Sequence, residues 1–324
     1  MFFLPRISRL LLAVTGCLFI TFASAQSFPT KPIRIIVPFP PGGSTDVGAR
    51  ILAVQLSEDF KQPVIVENRS GAGTTIAAAY VASSPADGYT LYLTGPITHA
   101  SSQALYKKLT YDALASFAPI GHLTTSPFII LVHPSSKSKT LQDLLTDARK
   151  NPGKLTYASS GNGAAPHLAV ELIAKATNTT FTHIPFRGSA PAMLALLSAQ
   201  VDFTIADVAA MPQIREGKLR ALALTTALPS FLVPGVPSLT EAGLKGLNIP
   251  SGLALFAPAG TPTEVVHKIN AAMNRALVKP EVKEKLELQG FDTAPGTPED
   301  LAKSMAIEVQ RYGKIIRDSG FSLD

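Results

Sequence analysis

Hydrophobic residues in this chain come in short runs closed by Gly and Pro, separated by longer stretches in which apolar positions recur every three or four residues. The first run, Ile33, Ile35, Ile36 and Val37, stops at Pro38-Phe39-Pro40-Pro41-Gly42-Gly43. Ser44, Thr45 and Asp46 follow, residue types that favour helix starts. Val47, Ile51, Leu52 and Leu56 then share one side of a helix, with Arg50, Glu58 and Asp59 off it. The pattern predicts strand, tight loop, helix. It continues with a strand over 64–66, a Gly-bearing turn over 68–73, a helix over 74–82 and a strand over 89–93 that ends in Thr94-Gly95-Pro96. Further strands are predicted over 128–132, 155–157, 181–185, 201–205, 219–225 and 253–256. Helices are predicted over 141–150, 164–175, 190–198 and 263–277, and near 281–289 and 298–318. Such alternation indicates parallel α/β sheets, whose ligands bind beyond the carboxyl ends of the strands. The layout reads as two α/β lobes, the second inserted within the first, with the strand over 219–225 returning to the first.

Composition narrows the class. With 324 residues, 46% hydrophobic and 16% charged, the chain has material for two cores. Its net charge of +6 includes Arg6 and Arg9 of a leader, which leaves +4 on the rest, scattered rather than in blocks. No nucleic-acid partner is expected from that distribution. Residues 1–25 have the parts of a secretory signal: Arg6 and Arg9, an apolar centre from Leu10 to Phe22, and Ala23-Ser24-Ala25 as cleavage site. The single cysteine, Cys17, lies in that centre. Val14-Thr15-Gly16-Cys17 also resembles a lipobox, but anchoring there would leave the apolar residues 18–22 outside the anchor, so cleavage near Ala25 is the reading adopted. The mature chain then has neither disulfides nor thiolate metal ligands. No later apolar run approaches the roughly 20 residues that span a bilayer, and an exported, soluble product is expected.

The chemistry suggested is anion binding. At Gly42, Gly43 and Ser44 a loop rich in backbone donors meets the positive end of a helix dipole. A second copy follows: a strand over 155–157, the loop Ala158-Ser159-Ser160-Gly161-Asn162-Gly163, and a helix from Ala164. Ser159, Ser160 and the Asn162 amide are expected to aim donors at one place. His167, one turn into that helix, is read either as a packing residue or as a contact. Arg187, between a strand and a helix, either pairs with a carboxylate bidentately or is a solvated surface cation. Asp207 ends a strand at the same presumed edge. Catalytic patterns are missing: no H-E-x-x-H, G-x-S-x-G, G-K-[ST] or G-x-G-x-x-G, and no pair of histidines at i, i+4. A Ser–His hydrolase assembled from distant positions is the enzymatic alternative.

The chain resembles the periplasmic solute receptors of the tripartite tricarboxylate transporter group, the Bug family. The resemblance is carried by FPTKPIRIIVPFPPGGSTDVGAR, VENRSGAGTTIAA, ADGYTL, LTYASSGNGAAPHLAVELI, HIPFRGSAPAMLALLSAQVDF, PQIREGKLRALALT, VPSLTEAGL and LFAPAGTP. It implies an α/β, two-lobed type II periplasmic-binding-protein fold (a venus flytrap) that uses no cofactor and no metal and is not an enzyme. The expected division is a signal peptide over 1–25, lobe one over 26–122 plus 226–300, lobe two over 123–225, and a C-terminal helix over 301–324 packing across the lobes. Carried over by position, Phe39, Gly42, Gly43, Ser44, Thr45 and Asp46 hold one carboxylate, partly through ordered water. Ala72 and Gly73 lie beside it, and Thr94 lines the wall. The second lobe contributes Ser159, Gly161, Asn162, Gly163, His167 and Asp207, with Arg187 added. The partners implied are a small organic anion, a mono- or dicarboxylate, and membrane transporter subunits, or alternatively a sensor kinase ectodomain. A periplasmic monomer is expected. One departure stands out: where the family usually carries an aromatic pair before LFAP, this chain has Gly252, Leu253 and Ala254.

Overall fold

A computed structural model describes residues 28–186 and 188–319. The leader reading, with Cys17, and the position of Arg187 lie outside these. Strand β1 (Ile33–Val37) is buried at every position except Arg34 and lies inside the first sheet, one place in from its edge, as a strand rich in β-branched residues suits. β2 (Val64–Asn68) and β3 (Thr90–Thr94) flank it in parallel. β4 (Phe117–Pro127), β10 (Pro250–Pro258) and β11 (Asp292–Thr293) complete the order β11-β4-β10-β3-β1-β2. The second sheet has the order β7-β6-β8-β5-β9, built from β5 (Ile129–Val132), β6 (Thr156–Ser159), β7 (Thr182–Pro185), β8 (Phe203–Ala206) and β9 (Arg220–Leu224).

The structure departs from the sequence pattern in two respects. The sheets are mixed rather than parallel: β10 runs antiparallel to β3 and β4, and β5 antiparallel to β8 and β9. The strand at 219–225 does not return to the first lobe. It is β9, the edge of the second sheet, and β10 makes the return.

The crossings between the sheets are tightly held. β4 ends at Pro127 in the first sheet and β5 begins two residues later in the second, so the chain passes directly from one sheet to the other. Thr225, fully buried, stitches this crossing to the return. Its Oγ1 accepts from Phe128 N at 3.1 Å and donates to Ile249 O at 2.7 Å, while Ile249 N donates to Thr225 O at 2.9 Å.

Helices α1 (Ser44–Phe60), α2 (Thr75–Ala82), α3 (Pro96–Leu105), α8 (Thr263–Leu277) and α9 (Pro280–Glu287) belong with the first sheet. α5 (Ala165–Thr177) and α6 (Ser189–Leu197) cover the second, which α4 (Leu141–Lys150) also packs against, and α7 (Met211–Arg215) is a short link. α10 (Pro298–Ser319) lies on α3 and β4 and reaches the second lobe, where Asp318 pairs with Lys175 of α5. The first core centres on Tyr92, His99, Tyr111, Phe117 and Phe256. His99 stands edge-on to Phe117 at 4.6 Å and donates from Nε2 to Ala113 O at 2.9 Å.

Candidate binding cleft

The carboxyl ends of β1 and β3 in one lobe and of β6 and β8 in the other open onto a single cleft of about 820 Å³. Phe39, Gly43, Ser44, Thr45 and Gly73 line it from the first lobe, and Gly161, Asn162, Gly163 and Asp207 from the second, so both loops singled out from the sequence face the same space. The starts of α1, α2, α3, α5 and α6 reach its wall, and none of their N-cap residues (Gly43, Thr74, Gly95, Ala164 and Gly188) gives the helix a side-chain cap. Elsewhere α4 and α10 begin with reciprocal Thr/Asp boxes, Thr140 with Asp143 and Thr297 with Asp300, although α8 and α9 lack caps as well. The first intrahelical bonds, Val47 N to Gly43 O, His99 N to Gly95 O and Leu168 N to Ala164 O, leave the preceding amides of α1, α3 and α5 without an acceptor in their own helix. The positive ends of their dipoles lie at the cleft. The wall thus offers the positive ends of helix dipoles to an anion, with neither lysine nor arginine among its described lining residues.

The loops are held from behind. Asp46, only 2% exposed, accepts from Gly42 N (2.9 Å), Asn68 Nδ2 (2.9 Å) and both Nε and Nη2 of Arg50 (2.9 and 3.0 Å). Burial alone would push this carboxyl up; the bonds from Arg50, Gly42 and Asn68 outweigh it and hold the group below the ordinary carboxylate range. Asn68 also donates to Phe39 O at 2.9 Å, tying the Pro/Gly loop to the end of β2. Asp46 is thus a clamp behind the surface and does not line the cleft. Gly42 spends its amide on Asp46, and neither it nor Ala72 reaches the wall. Thr94 is fully buried beneath the wall. Its hydroxyl and that of Thr74 face Tyr92 Oη without meeting hydrogen-bond geometry, and burial drives the Tyr92 phenol far up.

The second loop is built alike. Gly161, with φ +136°, takes a turn that L side chains rarely adopt, and donates its N–H to Ser159 Oγ at 3.1 Å. Ser159 Oγ lies 3.0 Å from Gly161 O and 2.6 Å from His183 Nε2. All three contacts are satisfied when His183 Nε2–H donates to the hydroxyl and the hydroxyl donates to Gly161 O. His167 Nδ1 accepts from Gly163 N at 2.9 Å, which puts its proton on Nε2, 3.9 Å from Glu171 Oε1. The two imidazoles stack at 4.0 Å. Ser159 and His167 therefore shape the loop instead of touching the cleft, contrary to the donor role expected of Ser159, and Ser160 and Asn162 line it in their place. Ser159, at 1% exposure, offers no nucleophile to a substrate.

These rings give a pH prediction. Burial lowers His167 to about 3, with the neighbouring His183 adding to it, and lowers His99 and His183 to about 4. Between the unfolded value near 6.5 and these values the unfolded chain binds protons that the folded chain refuses, so stability falls as pH drops through that window. For the nearly inaccessible His99 and His167 the loss is on the order of 2 kcal/mol each by pH 4.5. Thermal unfolding at pH 7 and 4.5 checks it. The drop should shrink in His167→Gln, and an equal drop in that variant contradicts a neutral buried imidazole.

Several wall residues carry no sequence signal tied to binding. Tyr106 stands over Gly73, where its hydroxyl comes within 2.1 Å of the place a Cβ would take, and Phe128 and Phe291 line the cleft from the crossing and from the turn after α9. Gly95-Pro96 is visible as a loop, but the helix it opens is not. At the site of the absent aromatic pair, Leu253 packs toward Gly48 of α1, its Cδ1 2.7 Å from where a Cβ would be, and Ser251 to Leu253 form part of the wall.

The model of the tripartite tricarboxylate transporter family receptor matches residues 48–321. The chain belongs to this receptor family. BugT of Bordetella pertussis is 35% identical over 320 residues, covering 97% of this chain and 98% of BugT. Among solved structures, R. palustris Rpa4515 with adipate is 34% identical, with TM-score 0.80 over 91% of this chain and 99% of that one. MatC (Rpa3494) from Rhodopseudomonas palustris with bound malate is 33% identical, with TM-score 0.78 over 89% and 100%. The α/β two-lobed expectation and the Bug-family resemblance are borne out. Receptors of this family are periplasmic solute-binding proteins rather than enzymes. Among the described residues no helix is long and apolar enough to cross a membrane, and no group of side chains is placed to hold a metal ion.

Proposed function

We propose that this chain captures a small organic mono- or dicarboxylate between its lobes in the periplasm and delivers it to a tripartite tricarboxylate-type transporter, after export directed by residues 1–25. The observation that carries this reading is the convergence of five helix starts without side-chain caps, from both lobes, on one cleft. Amides at the starts of α1 and α3 take one acid group, and those at the starts of α5 and α6 the other end of the ligand. Adipate on Rpa4515 and malate on MatC support an acid as the ligand class. Closure turns on the Thr225 stitch, where only two crossings join the sheets, and by expelling water it strengthens every donor contact inside. A cleft of about 820 Å³ is generous for so small a guest, as an open receptor should be. Titration calorimetry against a panel of mono- and dicarboxylates tests the reading. Saturable binding of at least one acid is expected; folded protein that binds none contradicts it.

A further inference from the structure

Asp207 is the one charged side chain among the described residues lining the cleft. It follows β8, the middle strand of the second sheet, with β6 on one side and β5 on the other, so the fold sets it at the carboxyl edge beside the Ser160–Asn162 turn. Its Oδ1 accepts from Ala209 N at 3.1 Å and caps the short turn that follows; among the described residues Oδ2 has no partner. Burial raises this carboxyl above its ordinary value, the Ala209 amide pulling the other way, and no described lining residue supplies a cation to offset it.

For a receptor of plain carboxylates this is a misfit. Every helix start invites an anion, and one wall presents another anion to it. Like charges brought together in a closing, water-poor site oppose binding. The misfit disappears when the ligand brings its own donor: an ammonium or hydroxyl group fills Oδ2 while the acid groups keep the helix starts. A site built to receive a donor rejects the analogue that lacks it, because the buried acceptor is left unpaired.

Building on the receptor reading above, we propose that Asp207 determines specificity, selecting carboxylates that carry an ammonium or hydroxyl donor beside the acid over their unsubstituted counterparts. Oδ2 accepts that donor as the lobes close. The discrimination is local to Asp207, since the helix starts bind both kinds of acid alike.

Matched sets test it by calorimetry: succinate, malate and aspartate; glutarate, 2-hydroxyglutarate and glutamate; propionate, lactate and alanine. Wild type should bind at least one substituted acid tenfold or more tighter than its plain counterpart, aspartate leading if the donor is an ammonium and malate if it is a hydroxyl. Asp207→Asn, which keeps an N-cap of equal quality, should weaken the amino acid at least tenfold and tighten the plain acid. Asp207→Ser, also cap-competent, should lose the same preference. An unchanged ranking in both variants overturns the role of Asp207 while leaving the receptor intact. If no acid binds wild type, the receptor reading fails and this role with it.

Discussion

Ser44→Asp is expected to weaken carboxylate binding at least 100-fold, about 2.7 kcal/mol, without unfolding the protein. Ser44 opens α1, half-buried on the cleft wall, where the amides left over by the helix point outward. A carboxylate there complements the helix dipole, so the fold should gain about 0.3–1 kcal/mol. The same charge occupies the amides meant for the ligand and repels it, a like-charge contact that costs several kcal/mol. The two effects have opposite signs. A variant with a raised melting temperature and lost calorimetric heat is the expected outcome, with Ser44→Ala, which leaves the backbone donors in place, binding far better than the aspartate. Undiminished affinity in Ser44→Asp removes the start of α1 from the site.

Gly252→Ala is expected to be the most damaging single-methyl change in the cleft wall. A Cβ at Gly252 would lie 2.2 Å from Thr124 O and 3.1 Å from Thr124 C, both backbone atoms of β4, and φ is +152°. Backbone cannot swing aside as a side-chain tip can. The β4–β10 ladder must open at this pair, next to the register shift at Leu253/Ala254 and the Leu253 N to Thr124 Oγ1 bond of 3.1 Å. A loss of about 3 kcal/mol follows from overpacking at such a site, or on the order of 10 °C in melting temperature. Gly42→Ala, with open space around its Cβ position but φ +85°, should cost less. A Gly252→Ala protein as stable as wild type contradicts the tight β4–β10 pairing. The same geometry explains the absent aromatic pair: at Gly252 no side chain has room, and Leu253 occupies the space toward Gly48.

How much of this is legible in the sequence differs by element. β1, its Pro/Gly loop and α1 are plain because a β-branched run, a break and an N-terminal polar trio coincide. The same punctuation reveals β6 and α5. α3 escapes because it buries His99, Ser101 and Ser102, polar residues that mask its periodicity. β4, with Pro119, Gly121 and His122 along its length, gives no strand pattern although it is the longest strand among the described residues. Strand direction is set by non-local pairing, which is why β9 is placed in the wrong lobe by local pattern alone. Within the cleft, sequence points to two loops that do face one space but misplaces residues inside them. Gly42, Gly161 and Gly163 give their amides to Asp46, Ser159 and His167, so these amides fix the loop shape and those of their neighbours are left over. That division depends on atom-level bonds no spacing reveals.

On the receptor reading, unspent backbone amides at opposed helix starts hold the anion. Amide resonances recorded during titration with a bound carboxylate measure this directly. Ser44 and Thr45 in one lobe, and Asn162 and Ala165 in the other, should move together and saturate with the ligand, their protons shifting downfield. Saturating binding that leaves all four amides unmoved contradicts the account.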